Sequence, residues 1–262
     1  METQLVEKIL GRPEHEDLIS STSNANILIT GGRGAIGKRL AERCPNAIVT
    51  DLEDLDVTGD IAQQWMQYVD DNQILQNPDY VINLAGDKHA PEGEVKPFNT
   101  LDINTHGVQN TIKAFPKAKH ILASTCKACN PETVYGASKL IAERLVLNHG
   151  GTVARFYNVV QTSGNVFEIW KNGGKEVYDC QRYFISLDEA VGLIIASLDL
   201  EGRYAVNPGD IRPMTSIARF FNITRLTDRR RGDRSKELLH STSEQVTPEG
   251  PLLKITSYHD QH

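Results

Sequence analysis

Residues 26–37 constrain this chain more than any other stretch. Asn26-Ile27-Leu28-Ile29-Thr30 is a short, nearly continuous apolar run of the kind that forms a strand buried on both faces. It runs directly into Gly31-Gly32-Arg33-Gly34-Ala35-Ile36-Gly37 and then into a helical pattern with Ile36, Leu40 and Ala41 on one face. Of the glycines at 31, 34 and 37, the first permits a tight turn and the second lets an anion approach the backbone. The third lets helix and strand pack closely. The helix N-terminus adds free N–H groups and the positive end of a dipole. With a strand before it and a helix after it, this turn predicts a dinucleotide pyrophosphate site built from Gly31, Arg33, Gly34, Ala35, Ile36 and Gly37.

The following segments repeat the alternation. Strands are predicted at 47–50, 79–85, 119–124 and 152–159, and helices at 61–75, 104–115 and 135–147. Alternating strands and helices imply a parallel sheet covered on both faces. The expected fold is therefore α/β, a Rossmann-type doubly wound parallel sheet over residues 26–160. Residues 1–25 read as an N-terminal extension, and 161–262 as a smaller α/β region that binds the substrate.

A chain of 262 residues with 39% hydrophobic and 24% charged residues is an ordinary globular protein. Its formal net charge of -6 argues against nucleic-acid binding. No apolar run approaches the roughly 18–20 residues of a membrane span, and the first residues lack the apolar core of a signal peptide. A cytoplasmic location is expected. The chain has four cysteines, two of them in Cys126-Lys127-Ala128-Cys129. No second pair or histidines stand at ligand spacing, so no metal site is predicted.

Asp51, at the end of the second strand, is placed to bind the adenosine ribose hydroxyls. A carboxylate there repels a 2′-phosphate and favours NAD, although Arg33 in the turn works in the opposite direction and keeps NADP open. Asp60 and Ile61 are read as lying beside the adenine, with Asp60 as a helix N-cap the competing reading. Leu84, Ala85 and Gly86 end the third strand and should border the dinucleotide. About a hundred residues after the glycine turn comes Tyr135-Gly136-Ala137-Ser138-Lys139. Positions four apart share a helix face, so the ammonium is expected beside the phenol, where it favours the phenolate. Coupled to a dinucleotide turn, the pair marks a base that takes a proton from an alcohol while a nicotinamide takes the hydride.

Thr30–Gly37, Ser124-Thr125, Tyr135/Lys139 and Arg155-Phe156-Tyr157-Asn158-Val159 together resemble an extended short-chain dehydrogenase/reductase. Within that family the chain is most similar to nucleotide-sugar dehydratases of the UDP-N-acetylglucosamine 4,6-dehydratase type. Ala85–Pro91, Ile103–Asn110, Ser124–Lys139 and Arg182–Ala190 each match a segment of those enzymes in order, and Arg230–Arg234 resembles a degraded fifth. The resemblance implies bound NAD or NADP, a UDP-sugar substrate and a homodimer. It also implies cofactor contact by Asn104, and roles at the substrate for Lys88, His89, Asn158, Arg182, Arg230 and Arg234; the alternatives are an exposed loop for Lys88 and His89, and the satisfying of buried backbone for Asn158. The arginines suit diphosphate, but a solvated charge run is the alternative for the Arg229–Arg231 cluster.

The implied reaction starts with oxidation at C4, with Tyr135 as base and Thr125 or Ser124 on the same oxygen. Elimination of water across C5–C6 then needs an acid and a base. In the resembling enzymes an Asp-Lys pair supplies them; here the aspartate position is Cys126, while Lys127 is retained. Cys126 is either a thiol that donates to the leaving hydroxyl or a small packing residue. Lys127 serves as base only if its surroundings lower its pKa. Two alternatives to the dehydratase stay open: an NAD-dependent 4-epimerase, which needs no acid–base pair beyond Tyr135, and a catalytically weak nucleotide-sugar-binding protein.

Overall fold

The computed structural model describes residues 3–228 and 234–260. Five strands of the first half, β1 (Ile27–Thr30), β2 (Ile48–Val49), β3 (Tyr80–Asn83), β4 (Lys119–Thr125) and β5 (Thr152–Phe156), lie side by side in the order 2-1-3-4-5. All their pairings are parallel. β1 is buried along its whole length, as its unbroken apolar run requires. Strand order reverses between β1 and β3, and a crevice opens there at the carboxyl ends of the strands.

Residues beyond 161 do not close into a separate unit. Gly202–Val206 adds a sixth parallel strand beside β5, and the antiparallel hairpin Glu244–Glu249/Leu252–Ser257 completes an eight-stranded sheet. The rest of this region forms a small second core around Phe167, Trp170, Phe184 and Ile217. The N-terminal residues belong to that body. Helix α1 (Thr3–Leu10) buries Val6, Ile9 and Leu10 in the second core. Helix α2 (Glu16–Ile19) packs on the Leu187–Ala196 helix, so closely that a Cβ on Gly192 would lie 2.3 Å from the Leu18 carbonyl oxygen. The predicted strand 152–159 is broken at Tyr157, because Asn158–Val159 leaves the main sheet to pair with Phe184–Ile185.

Behind the sheet's carboxyl edge lies a chain of charges, buried up to its last member, Asp260. Glu143, on the Val134–Asn148 helix, accepts from Arg155 (Nε 3.1 Å, Nη2 2.7 Å) and Arg203 (Nε 2.8 Å). Arg155 continues to Glu244 through two 3.0 Å bonds, and Arg203 to Asp260 at 3.0 Å. One helix, β5, the sixth strand, the hairpin and the C-terminal turn are thereby fixed to one another. Burial pushes the Glu143 carboxyl up, but the two guanidinium groups overcome it and hold it below the ordinary range. Removing one partner of a buried pair strands the other. Arg155→Ala should therefore cost about 3–5 kcal/mol in urea unfolding, against under about 1 kcal/mol for an exposed pair such as Arg225–Glu176.

Candidate active site

The crevice at the strand reversal is a cleft of about 880 Å³. One wall is the glycine turn. Gly31 has φ +67°, and a Cβ there would come within 2.5 Å of the Ala85 nitrogen, so the first glycine lets the turn pass against the end of β3. At Gly37 a Cβ would lie 2.2 Å from the Gly32 carbonyl oxygen, which fixes the helix α3 (Ala35–Arg43) close to its own turn. Gly34 is different. A Cβ there would meet only the Gly31 oxygen at 3.7 Å, an ordinary contact, so nothing in the protein's own packing demands glycine. The space faces the cleft at the first turn of α3, where backbone N–H groups have no intrahelical partner.

Asp51 stands at the far end of this wall, accepting from the Arg33 and Leu52 backbone N–H groups at 2.9 and 2.8 Å. The Arg33 guanidinium is held by Glu53 and Asp54. Three carboxylates thus surround the position where the sequence left NADP open. Asp60 does not line the cleft: it caps helix α4 (Ile61–Asn72), accepting from Gln63 N at 3.1 Å, and Ile61 is buried beneath it. The wall they were expected to form comes from Leu55–Thr58. The N-cap reading wins because Asp60 directly precedes an apolar helix start.

The floor is Leu84, Ala85 and Gly86. Buried Asn104 fastens it, accepting from Asp87 N (2.9 Å) and donating to Asp87 O (2.9 Å) and Ser138 Oγ (3.0 Å). Asn104 sits in a five-residue π-helical turn, Asp102–His106, and thereby joins the floor to the Val134–Asn148 helix.

That helix delivers Tyr135 and Lys139 to the cleft; Thr133 caps its start, accepting from Gly136 N. The charge that acts most on the phenol is not that of Lys139, as the spacing alone suggested, but that of Lys127. Lys139 lines the cleft, its Nζ 3.9 Å from where a Gly86 Cβ would stand. Burial lowers its pKa to about 8, opposed by Glu143 one turn further on. Burial also pushes the Tyr135 phenol up; the groups that pull it down are the Lys127 ammonium and a hydrogen bond from Thr125. Ser124 is committed elsewhere, donating to Glu143 Oε1 at 2.6 Å. Of the two hydroxyls left open by the sequence, Thr125 is the one at the phenol.

Cys126 is 1% exposed and does not line the cleft; burial and the nearby Glu237 carboxylate push its thiol up. Lys127 feels burial pulling its pKa down, but Cys126, Glu237 and Tyr135 together carry it above the ordinary lysine value. Neither residue has the surroundings of the acid or base that the sequence considered. The remaining expected substrate residues divide in two. Lys88 and His89 line the cleft, and Lys88 Nζ donates across it to Ser163 O at 3.1 Å. Asn158 spends its amide on Tyr183 O (2.9 Å) and Glu237 (2.8 Å). Arg182 donates to Arg234 O at 2.6 Å, and Arg234 turns toward Cys129 O, Asn130 O and Glu132. These three hold loops together outside the cleft lining. Arg230 lies outside the described residues.

A family model described as "Polysaccharide biosynthesis protein" matches residues 50–222. The chain belongs to this polysaccharide biosynthesis protein family. It is similar to the inverting UDP-N-acetylglucosamine 4,6-dehydratase of Campylobacter jejuni, 34% identical over 66% of this chain, and spans 63% of that relative's length. A UDP-glucose 4-epimerase of Rickettsia canadensis is 26% identical over 66% of this chain and 62% of its own. Among solved structures, Pen from Bacillus thuringiensis superposes with a TM-score of 0.75 at 21% identity, covering 90% of this chain and 87% of Pen. The Thermus thermophilus UDP-glucose 4-epimerase in complex with NAD gives 0.69 at 18% identity, covering 81% and 89%. The family member described here has the fold of the extended short-chain dehydrogenase/reductases. Its tyrosine, lysine and glycine turn occupy one cleft.

If Gly34 is kept free for the diphosphate, Gly34→Ala separates binding from folding. Its urea midpoint should stay within about 0.5 kcal/mol of the parent, while NAD affinity by calorimetry falls at least about tenfold. Equal NAD affinity in the two proteins would contradict this use of the turn.

Proposed function

We propose that this protein is a nucleotide-sugar 4,6-dehydratase acting on a UDP-N-acetylhexosamine such as UDP-GlcNAc, with NAD bound in the cleft. The observation that carries the reading is the convergence of Tyr135, Thr125 and Lys139 in the cleft that begins at the glycine turn. The C. jejuni relative supports the substrate class. Asp51, with Glu53 and Asp54 already on Arg33, supports NAD over NADP, since a 2′-phosphate would meet three carboxylates.

Bound NAD would supply reversible oxidation at the sugar's C4. Tyr135 takes the proton of the 4-hydroxyl, and Thr125 holds that oxygen in line. The Lys127 charge stabilises the phenolate. The 4-ketone acidifies the C5 proton and permits loss of the 6-hydroxyl as water; the hydride taken from C4 would then return to C6 and a solvent proton to C5, giving the 4-keto-6-deoxy sugar with no net consumption of NAD. Lys139 presents its cation to the cofactor side of the cleft. Lys88 and His89 border the space left for the sugar nucleotide. A homodimer is part of this reading; exposed Val95, Phe98 and Ile141, on helices that touch one another, offer the apolar face for a second copy, checked by sedimentation velocity.

Epimerisation at C4 is the second reading, and the burial of Cys126 outside the cleft favours it, because it removes the thiol as acid. Turnover of UDP-GlcNAc in deuterated water, followed by NMR, separates the two. A 4-keto-6-deoxy sugar with deuterium at C5 is expected; UDP-GalNAc without deuterium would replace the dehydratase by the epimerase. Tyr135→Phe should lower kcat by at least about a hundredfold in either case, and normal turnover by that variant would end both readings.

Lys139 also sets a pH limit. Its pKa is lowered, so the ammonium persists below about pH 8 and is lost above it, well short of the ordinary lysine range. The alkaline limb of kcat/KM should have its midpoint at about 8. A rate that holds to pH 10 would show that the Lys139 charge is not needed.

A further inference from the structure

Glu237 lies 110 residues after Lys127 in the chain yet beside it in space. It is 4% exposed, and its backbone N–H is bonded to Gln181 O at 3.1 Å, which ties this segment to the strand Gln181–Arg182. Its carboxylate is shared by four groups from three segments of the chain. Oε2 accepts from Asn158 Nδ2 at 2.8 Å and from Tyr183 N at 3.0 Å. The Cys126 thiol feels the carboxylate as well and is pushed up by it. Oε1 faces Lys127 Nζ at 3.8 Å. Two firm N–H donors lock the carboxylate in place, and the oxygen they leave open is the one turned to the lysine.

The groups that face Lys127 are Glu237, Cys126, Tyr135 and Arg182. Burial and the Arg182 guanidinium both push the ammonium toward its neutral form. The Cys126 thiol and the Tyr135 phenol are themselves held protonated by burial, so neither offers a standing negative charge at neutral pH. The carboxylate of Glu237 is the neighbour that can keep the lysine charged. We propose that Glu237 is a positioning residue for Lys127: closing the pair 127–237 fixes an ammonium beside the Tyr135 phenol. The inference rests on the reading of Tyr135 as the base that opens the reaction. It deepens that reading by assigning the charge at the phenol to a pair that no local motif contains.

The protonation state of Lys127 is the direct readout, and it does not depend on turnover. Full-length protein labelled with 13C at lysine Cε is titrated by NMR, with the Lys127 resonance assigned through Lys127→Arg. The parent midpoint is expected above that of an exposed lysine, about 10.4. In Glu237→Gln it should fall by about one unit or more, and Glu237→Asp, whose shorter carboxylate draws back, should lie between. With UDP-GlcNAc, Glu237→Gln should lower kcat about tenfold or more with KM within about twofold, and Glu237→Asp should recover part of the loss. A Lys127 midpoint unchanged in Glu237→Gln overturns the proposal. If Glu237→Gln does not fold, the Glu237→Asp midpoint decides: no fall from the parent overturns it equally. Failure of the parent to convert UDP-GlcNAc would count against the functional reading alone, because the titration stands without it.

Discussion

The site depends on how the Val134–Asn148 helix is held against the sheet, and Glu143 is what holds it. Tyr135, Lys139 and Glu143 follow one another at four-residue spacing and so lie along one face. The first two enter the cleft while the third is anchored behind it by Arg155, Arg203 and Ser124. Ser124 and Arg155 are register partners on β4 and β5, so the carboxylate grips neighbouring strands close to the cleft that Tyr135 and Lys139 enter. Buried ion pairs are poor sources of net stability, because desolvation offsets much of the attraction. Their effect here is geometric. A helix packed only through Ala142 and Val146 could slide or roll, whereas one bonded through four charge-assisted contacts cannot without stranding a charge.

The same economy governs the cofactor wall. Gly31 and Gly37 are required by the protein's own backbone, which approaches itself too closely for a Cβ. Gly34 is required by nothing in the protein. A turn that stays open where its own packing would tolerate a methyl group is shaped for something outside the chain, and the strand reversal between β1 and β3 puts it where α/β sheets bind ligands.

Much of this was legible in the sequence because it is local. The strand–turn–helix around Gly31–Gly37, the alternating elements and the placement of Tyr135 and Lys139 on one helix follow from spacing and periodicity. What spacing could not carry is the direction of long side chains and any contact between distant segments. Lys139 shares a face with Tyr135 but reaches to Gly86 instead, and the charge at the phenol comes from Lys127. Glu237 carries no motif, and only the fold brings it to Lys127. Asn158, Arg182 and Arg234 had the right chemistry for a diphosphate, but they bond backbone carbonyls, Glu237 and Glu132 outside the cleft lining. Asp60 was ambiguous for a simpler reason: a helix cap and a ligand contact need the same residue type at the same place. Glu143 had a signal in plain view, the continuation of the Tyr135–Lys139 spacing by one more turn.

The central claim is that one cleft holds the dinucleotide along the glycine turn and brings its reactive end to Tyr135. A crystal structure of the protein with NAD and UDP tests it most directly. The account predicts the diphosphate of NAD over Gly31–Gly37, the adenosine ribose at Asp51, and the nicotinamide above the Gly86 floor with Tyr135 beside its open face. NAD bound elsewhere, or bound here with its nicotinamide turned away from Tyr135, would contradict it.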